Sequence, residues 1–226
     1  MSIELKKRMI TSVILLASFF FMIRHSYLLL TGLIFFSVIV WIEFNALMIR
    51  IVKPKTRILK FRVLLFKFIA FIYIFYFSYI TTVNLSIDLT HKAIFLFLLG
   101  ICIVSDIGGL IFGKIFKGKK LTKISPNKTI SGSIGSFIFS LLIIPIYYQF
   151  DFNFSYLELF SITLLTSLFS QLGDLFISYL KRKAMVKDTG DLLPGHGGFL
   201  DRFDGILLGV PAGLFYTLLI LPNFNL

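Results

Sequence analysis

Apolar residues in this chain run in stretches of roughly twenty, broken by short polar connections, with neither the alternation of a half-buried strand nor the three-to-four spacing of a surface helix. Stretches of that length match a hydrocarbon core of ~30 Å when wound at about 1.5 Å per residue. They fall at residues 9–23, 27–49, 61–80, 93–113, 131–149, 157–180 and 203–221. Each predicts a helix, because inside a bilayer no water satisfies an open backbone. The expected fold is therefore all-α, a polytopic integral membrane protein with about seven transmembrane helices. The first stretch follows Lys6, Lys7 and Arg8 as the apolar region of a signal peptide does, but no small-residue cleavage site succeeds it, and a retained anchor is expected.

The polar connections are unequal. Of the 23 Lys and Arg, 20 fall in four groups on alternate connections, Lys6 to Arg8, Arg50 to Arg62, Lys114 to Lys128 and Lys181 to Arg202. Excess Lys and Arg mark cytoplasmic connections, so the N-terminus is expected inside and the C-terminus outside. The intervening connections carry only Arg24 and Lys92, and Lys67 lies within the third stretch, where it is expected to pair with an acid or snorkel.

Composition agrees: 57% of the 226 residues are hydrophobic and 28 are Phe, too much apolar surface for a soluble domain. The net charge of +12 does not indicate nucleic acid, because the bases form no continuous stripe and orientation accounts for them. The single cysteine, Cys102, sits in an apolar stretch and is read as packing. The short chain without a targeting extension points to a bacterial inner (plasma) membrane, and membrane lipids are the expected surroundings.

Acids at membrane depth change the picture most, since an unpaired carboxylate there costs a few kcal/mol. Asp174 lies seven residues before Lys181, ~10 Å from the basic end of its span. Asp174, Ser178 and Lys181 follow i, i+4, i+7 spacing and share a helix face. Asp106 repeats the arrangement before Lys114, with Gly108, Gly109 and Gly113 allowing a helix or a ligand to approach. Each of these acids is read as functional or as one half of a structural ion pair. Glu43, beside Trp41, is expected to be an interfacial acid paired with Arg50 or a neighbouring base. The segment from Gly113 to Ser136 holds lysines and hydroxyls, and Ser125-Pro126-Asn127-Lys128-Thr129 forms a turn before a helix N-terminus, a place that favours anions. Neither a G-x-x-x-x-G-K-[ST] loop nor a dinucleotide glycine fingerprint is present.

From Ser178 to Asp204 the chain reads S-x-x-K-R, four residues, K-D-x-G, then P-G-H-G-G and D-R-F-D. This resembles the signature of the phosphatidate cytidylyltransferases (CDP-diacylglycerol synthases). Upstream, Gly173-Asp174-Leu175 resembles the family's G-D-L, and Asp106 to Gly113 and Ser125 to Thr129 resemble its D-x-G and S-P-x-K-T segments. The resemblance covers roughly residues 100–210. It departs at Leu110, where the family often has tyrosine, at Asn127 for lysine, at Ser131 for glutamate, and at Ile177 for an acid.

The resemblance implies a nucleotidyltransferase in phospholipid biosynthesis, with CTP and phosphatidate as partners and Mg²⁺ as cofactor, with room for a second cation and for a homodimer. Asp174 and Asp201 are the implied metal-binding carboxylates. Lys181, Arg182, Asp188 and Asp204 complete the implied catalytic set. Asp106, Ser125, Lys128, Thr129, Ser178, Lys187, Gly195, His196, Gly197, Gly198 and Arg202 are the implied substrate-binding residues. His196 either contacts a phosphate or fixes the loop. Residues 1–92 then read as membrane-anchor helices and 93–226 as a membrane-embedded catalytic core with its loops facing the cytoplasm. A related CTP-dependent lipid kinase, or a cytidylyltransferase acting on another lipid phosphate, is the enzyme alternative. An anion or lipid transporter is the non-enzyme one.

Overall fold

The computed structural model describes residues 13–14, 17–52, 56–122, 125, 128–149, 154–192 and 197–220. Residues 17–24 are helical and lead through an extended His25 into α1, Ser26–Ile51. There follow α2 (Arg57–Ser86), α3 (Leu89–Phe116), α4 (Ile130–Leu141), α5 (Ile144–Tyr148), α6 (Tyr156–Lys183) and α7 (Leu200–Ile220). No β-strand occurs among the described residues, and six spans are long and apolar enough to cross a membrane, α4 and α5 together making one of them. The all-α polytopic membrane fold is borne out. The first predicted stretch lies partly outside the described residues.

Two local features follow from single residues. The predicted 131–149 helix is interrupted at Leu142 and Ile143, where the amides bond back to Phe139 and Ser140 in tight three-residue turns. Pro145 near the start of α5 has no N–H to continue the ladder, and its ring crowds the carbonyl four residues earlier. In the connection before α3, Asp88 caps that helix by accepting the His91 amide at 2.7 Å. That bond, then the His91 ring, holds the Asp88 carboxyl below the usual carboxylate range.

Contacts divide the chain into two units. The first comprises residues 1–86 and 180–203. Here α1 packs on α2: the Ser37 and Ser78 hydroxyls meet at 2.6 Å, and Phe36 stands between Phe77 and Phe203. Val40 and Leu29 are buried, and Trp41 sets its ring edge against Phe71.

The second unit comprises residues 87–179 and 204–226, and it is organised by small residues. Helices surrounded by lipid gain nothing from hiding apolar side chains from one another, so close backbone approach and van der Waals contact must hold them. Gly108, Gly109 and Gly113 of α3 face Gly132, Gly135 and Ser136 of α4; a Cβ at Gly132 would stand 2.8 Å from the Gly109 carbonyl oxygen. The glycines after Asp106 therefore serve a helix, one of the two roles their spacing allowed. On α7, Gly205, Gly209 and Gly213 recur every fourth residue, and a Cβ at each would meet Ser170 Oγ, Cys102 Sγ or Thr166 Oγ1 at 2.6, 2.6 and 2.5 Å respectively. At Gly173 of α6 the obstruction would be the main-chain carbonyl of Asp204. Cys102 is fully buried and unpaired, the packing role expected of it.

Candidate active site

In the first unit the site is built where α6 ends and α7 begins. α6 stops because Met185 adopts a left-handed conformation, φ 56°, that turns the chain. The Met185 amide then bonds to the Arg182 carbonyl and the Val186 amide to the Lys181 carbonyl, a Schellman closure made without the usual glycine. The turn sends residues 187–192 back toward the start of α7.

Asp201, in the first turn of α7, gathers this loop. Its Oδ1 receives Lys181 Nζ at 2.6 Å, and the two side chains are only 5% and 16% exposed. Such a sequestered pair is less screened by solvent than a surface ion pair. Its Oδ2 accepts from the Thr189 amide at 2.8 Å, the Thr189 hydroxyl at 3.1 Å and the Gly198 amide at 3.1 Å. Gly197 has φ +82°, open to glycine, and lies against the Asp188 side chain, where a Cβ would come within 3.1 Å. Asp188, Arg182, Lys187 and Arg202 are exposed on this segment. Gly195 and His196 lie outside the described residues.

Glu43 corrects the sequence reading. It was expected at the interface, paired with Arg50 or a neighbouring base. It is instead 6% exposed and makes no ion pair among the described residues. Its Oε2 accepts from the Thr189 hydroxyl at 2.7 Å and the Leu200 amide at 2.8 Å, and its Oε1 accepts from the Phe199 amide at 2.9 Å. The start of α7 is thus capped by a carboxylate from 157 residues earlier in the chain. Thr189 had no assigned role, standing at the free position of K-D-x-G.

In the second unit the loop after α3 folds back on itself. The Leu121 amide bonds to the Lys128 carbonyl, the Ile130 amide to the Lys119 carbonyl, and the Lys128 amide to the Ser125 carbonyl. Thr129 caps α4 by accepting the Gly132 amide at 3.1 Å, and Ser131 Oγ donates to the Lys117 carbonyl. Lys128 is thereby delivered onto Asp174 of α6, forming an ion pair. Ser178 Oγ donates to the other Asp174 oxygen at 3.3 Å. Asp106 of α3 is near enough to feel the charges of both Asp174 and Lys128. Asp204, at the start of α7, receives the Gly205 amide on its side chain at 2.8 Å, and its carbonyl faces Gly173. The shared face predicted for Asp174, Ser178 and Lys181 holds for the first two, while the Lys181 ammonium turns to Asp201.

Both sets combine carboxylates with a lysine, the first within the cytidylyltransferase-like signature and the second at the upstream segments that resemble the same family. A sequence model described as the cytidylyltransferase family matches residues 5–220. The chain belongs to this family. Among the family's members, phosphatidate cytidylyltransferase of Staphylococcus aureus strain COL is 48% identical over 124 residues, covering 54% of this chain and 46% of the relative. The enzyme of that name from Staphylococcus haemolyticus is 46% identical over 127 residues, covering 55% and 48%. The one from Rickettsia felis is 42% identical over 145 residues, covering 60% and 63%. The chain thus spans about half the length of the staphylococcal relatives that it matches.

Oxygen donors dominate both sets, and among the described residues no group of three or more His, Cys, Asp or Glu forms a closed metal cage. That donor chemistry fits Mg²⁺, which keeps waters and binds through one or two carboxylates together with substrate phosphates. Asp174 has Asp106 as a neighbouring acid. Asp201 is more fully engaged, with four donors already on its two oxygens.

Proposed function

We propose that the protein transfers the cytidylyl group of CTP to phosphatidate, giving CDP-diacylglycerol and pyrophosphate. The observation that carries this reading is the seating of carboxylates of the family-like segments against lysines, Asp174 with Lys128 and Asp201 with Lys181, in a chain built of membrane-spanning helices. In the reaction a phosphate oxygen of phosphatidate bonds to the α-phosphorus of CTP. The bond from that phosphorus to the bridging oxygen breaks, and pyrophosphate leaves. A phosphomonoester with a second pKa of ~6 is largely dianionic at neutral pH, so no strong general base is needed.

The obstacle is bringing polyanions together, which calls for positioning and charge neutralisation. In this reading Lys128, Lys181, Arg182, Lys187 and Arg202 hold phosphates, the arginines able to do so in bidentate fashion. Asp174 in one unit and Asp201 in the other are the carboxylates that would hold Mg²⁺, which would supply charge neutralisation for phosphoryl transfer. The membrane fold lets the lipid arrive from the inner leaflet while CTP arrives from the cytoplasm. Incubating purified protein with CTP and phosphatidate tests this reading directly. Appearance of pyrophosphate and lipid-linked CMP in equal amounts is expected; release of CDP with a phosphorylated lipid would instead identify a kinase.

Lys128→Ala is expected to raise the KM for CTP about tenfold, the scale of one lost charge-assisted contact, and to move that for phosphatidate less. A change confined to the phosphatidate KM would place the loop on the other substrate. The orientation is checked by thiol labelling in a Cys102→Ala background. Cysteines replacing Lys119 and Lys183 should react with an impermeant reagent only from the cytoplasm, and one replacing Ile87 only from outside. Cysteines at 174 and 178 should be reached from the cytoplasm alone. Access from both sides, alternating on addition of ligand, would favour a transporter.

A further inference from the structure

Glu43 is a buried carboxylate on a helix outside the signature sequence, yet its three hydrogen bonds go to the signature loop. We infer that Glu43 is a positioning residue for the cytidylyl transfer proposed above, acting through Thr189 and Asp201, and the inference rests on that reading for its catalytic consequence. The connection is direct. Thr189 has one hydroxyl proton, and two carboxylate oxygens compete for it, Glu43 Oε2 at 2.7 Å and Asp201 Oδ2 at 3.1 Å. The Thr189 amide holds the same Asp201 oxygen at 2.8 Å.

The space around Glu43 is also fitted. A Cβ at Gly198 would lie 2.5 Å from Glu43 Oε2, and one at Gly190 would lie 2.8 Å from Oε1, so both glycines of the loop let the chain close on this carboxylate. Phe199 and Phe203 stack, and Phe36, seven residues before Glu43 on α1, meets both rings, so the same helix face that carries the acid also packs the start of α7.

A carboxylate is required for a simple reason. Glu43 accepts three donors on two oxygens and donates nothing. A glutamine in its place has one acceptor oxygen, and its NH₂ would face a backbone N–H in either orientation, the Phe199 amide in one and the Leu200 amide in the other. A buried donor left facing a donor loses its hydrogen bond and stays desolvated. The loop then loosens at the residues that fix Asp201.

The test uses the full-length protein in detergent or lipid nanodiscs. In Glu43→Gln, amide hydrogen exchange across 198–201 is expected to rise at least ~tenfold while the amides of α1 itself stay protected. Turnover of CTP and phosphatidate per folded molecule should fall at least ~tenfold in kcat, with the phosphatidate KM within about threefold of wild type. Thr189→Val should reproduce the kcat loss, and Thr189→Ser, which keeps the hydroxyl, should recover most of it. The double variant Glu43→Gln/Thr189→Val should lose little more than the worse single, because both changes break one connection. Should Glu43→Gln fail to fold, the Thr189 pair and its exchange profile decide alone. Unchanged exchange at 198–201, fully additive losses, or normal kcat per folded molecule would overturn the inference. A wild-type protein inactive on CTP and phosphatidate would count against the proposed reaction, while the exchange data would still decide whether Glu43 anchors the loop.

Discussion

Asp174→Asn and Asp201→Asn should each lower kcat by at least ~10²-fold, the scale of removing one major transition-state electrostatic contact. The reasons differ. At Asp174 the substitution removes the charge opposite Lys128 and one of two neighbouring acids, so the Mg²⁺ concentration needed for half-maximal turnover should rise as well. At Asp201 four donors converge on two oxygens, and a neutral amide offers only one oxygen; Lys181 loses its counter-charge in either orientation, and the NH₂ faces the Lys181 ammonium in one and the Thr189 and Gly198 amides in the other. Each such unsatisfied group costs about 1–3 kcal/mol. EDTA should abolish turnover of the unmodified protein, and Mg²⁺ should restore it. Steady-state kinetics across a Mg²⁺ titration checks all of this; near-normal turnover in both variants would sink the metal assignment.

Gly198→Ala carries the second large effect. The added methyl would fall on Thr189 Oγ1, and would stand 2.5 Å from Glu43 Oε2 and 2.7 Å from the Gly190 amide nitrogen. Three neighbours on two chain segments, the 189–190 loop and the helix of Glu43, cannot all yield without giving up the bonds that hold Asp201. Overpacking of this kind costs about 1–3 kcal/mol. Turnover should drop on the order of 10²-fold, because the displaced group is the loop that fixes a charged centre. Thermal unfolding in detergent, followed alongside kcat, separates the two effects. A variant with wild-type turnover would mean that the loop takes another form when substrate is bound.

The spans were legible because a twenty-residue apolar run has few other uses, and the polar clusters could be found because acids at membrane depth stand out against it. The pairing of Ser178 with Asp174 also followed from spacing, since both lie on one helix four residues apart. What spacing could not supply was any bond that leaves its own helix. Lys181 fits the face of Asp174 by periodicity, yet its flexible four-carbon stem reaches Asp201 across a turn that depends on Met185 taking a left-handed conformation seldom adopted by such a residue. Glu43 was misplaced for the same reason: nearby bases offered a local explanation, and nothing in the sequence around Trp41 announces donors more than 140 residues away. The broken fifth span did carry a signal, Pro145, which the long apolar run outweighed.

The four close approaches at Gly173 of α6 and at Gly205, Gly209 and Gly213 of α7 differ in what genetics can repair. At Gly205, Gly209 and Gly213 the nearest atom to an added methyl belongs to a side chain, that of Ser170, Cys102 or Thr166. Trimming that partner, as in Ser170→Gly or Cys102→Ala, can make room, so second-site suppressors should be recoverable for alanine at each of these positions. At Gly173 the obstacle is the carbonyl oxygen of Asp204, which every amino acid at 204 would retain. An alanine there has no partner to shrink, and only a shift of the helix backbone can relieve it. In a randomised library, position 173 should therefore remain glycine even where its neighbours along the seam exchange sizes in pairs.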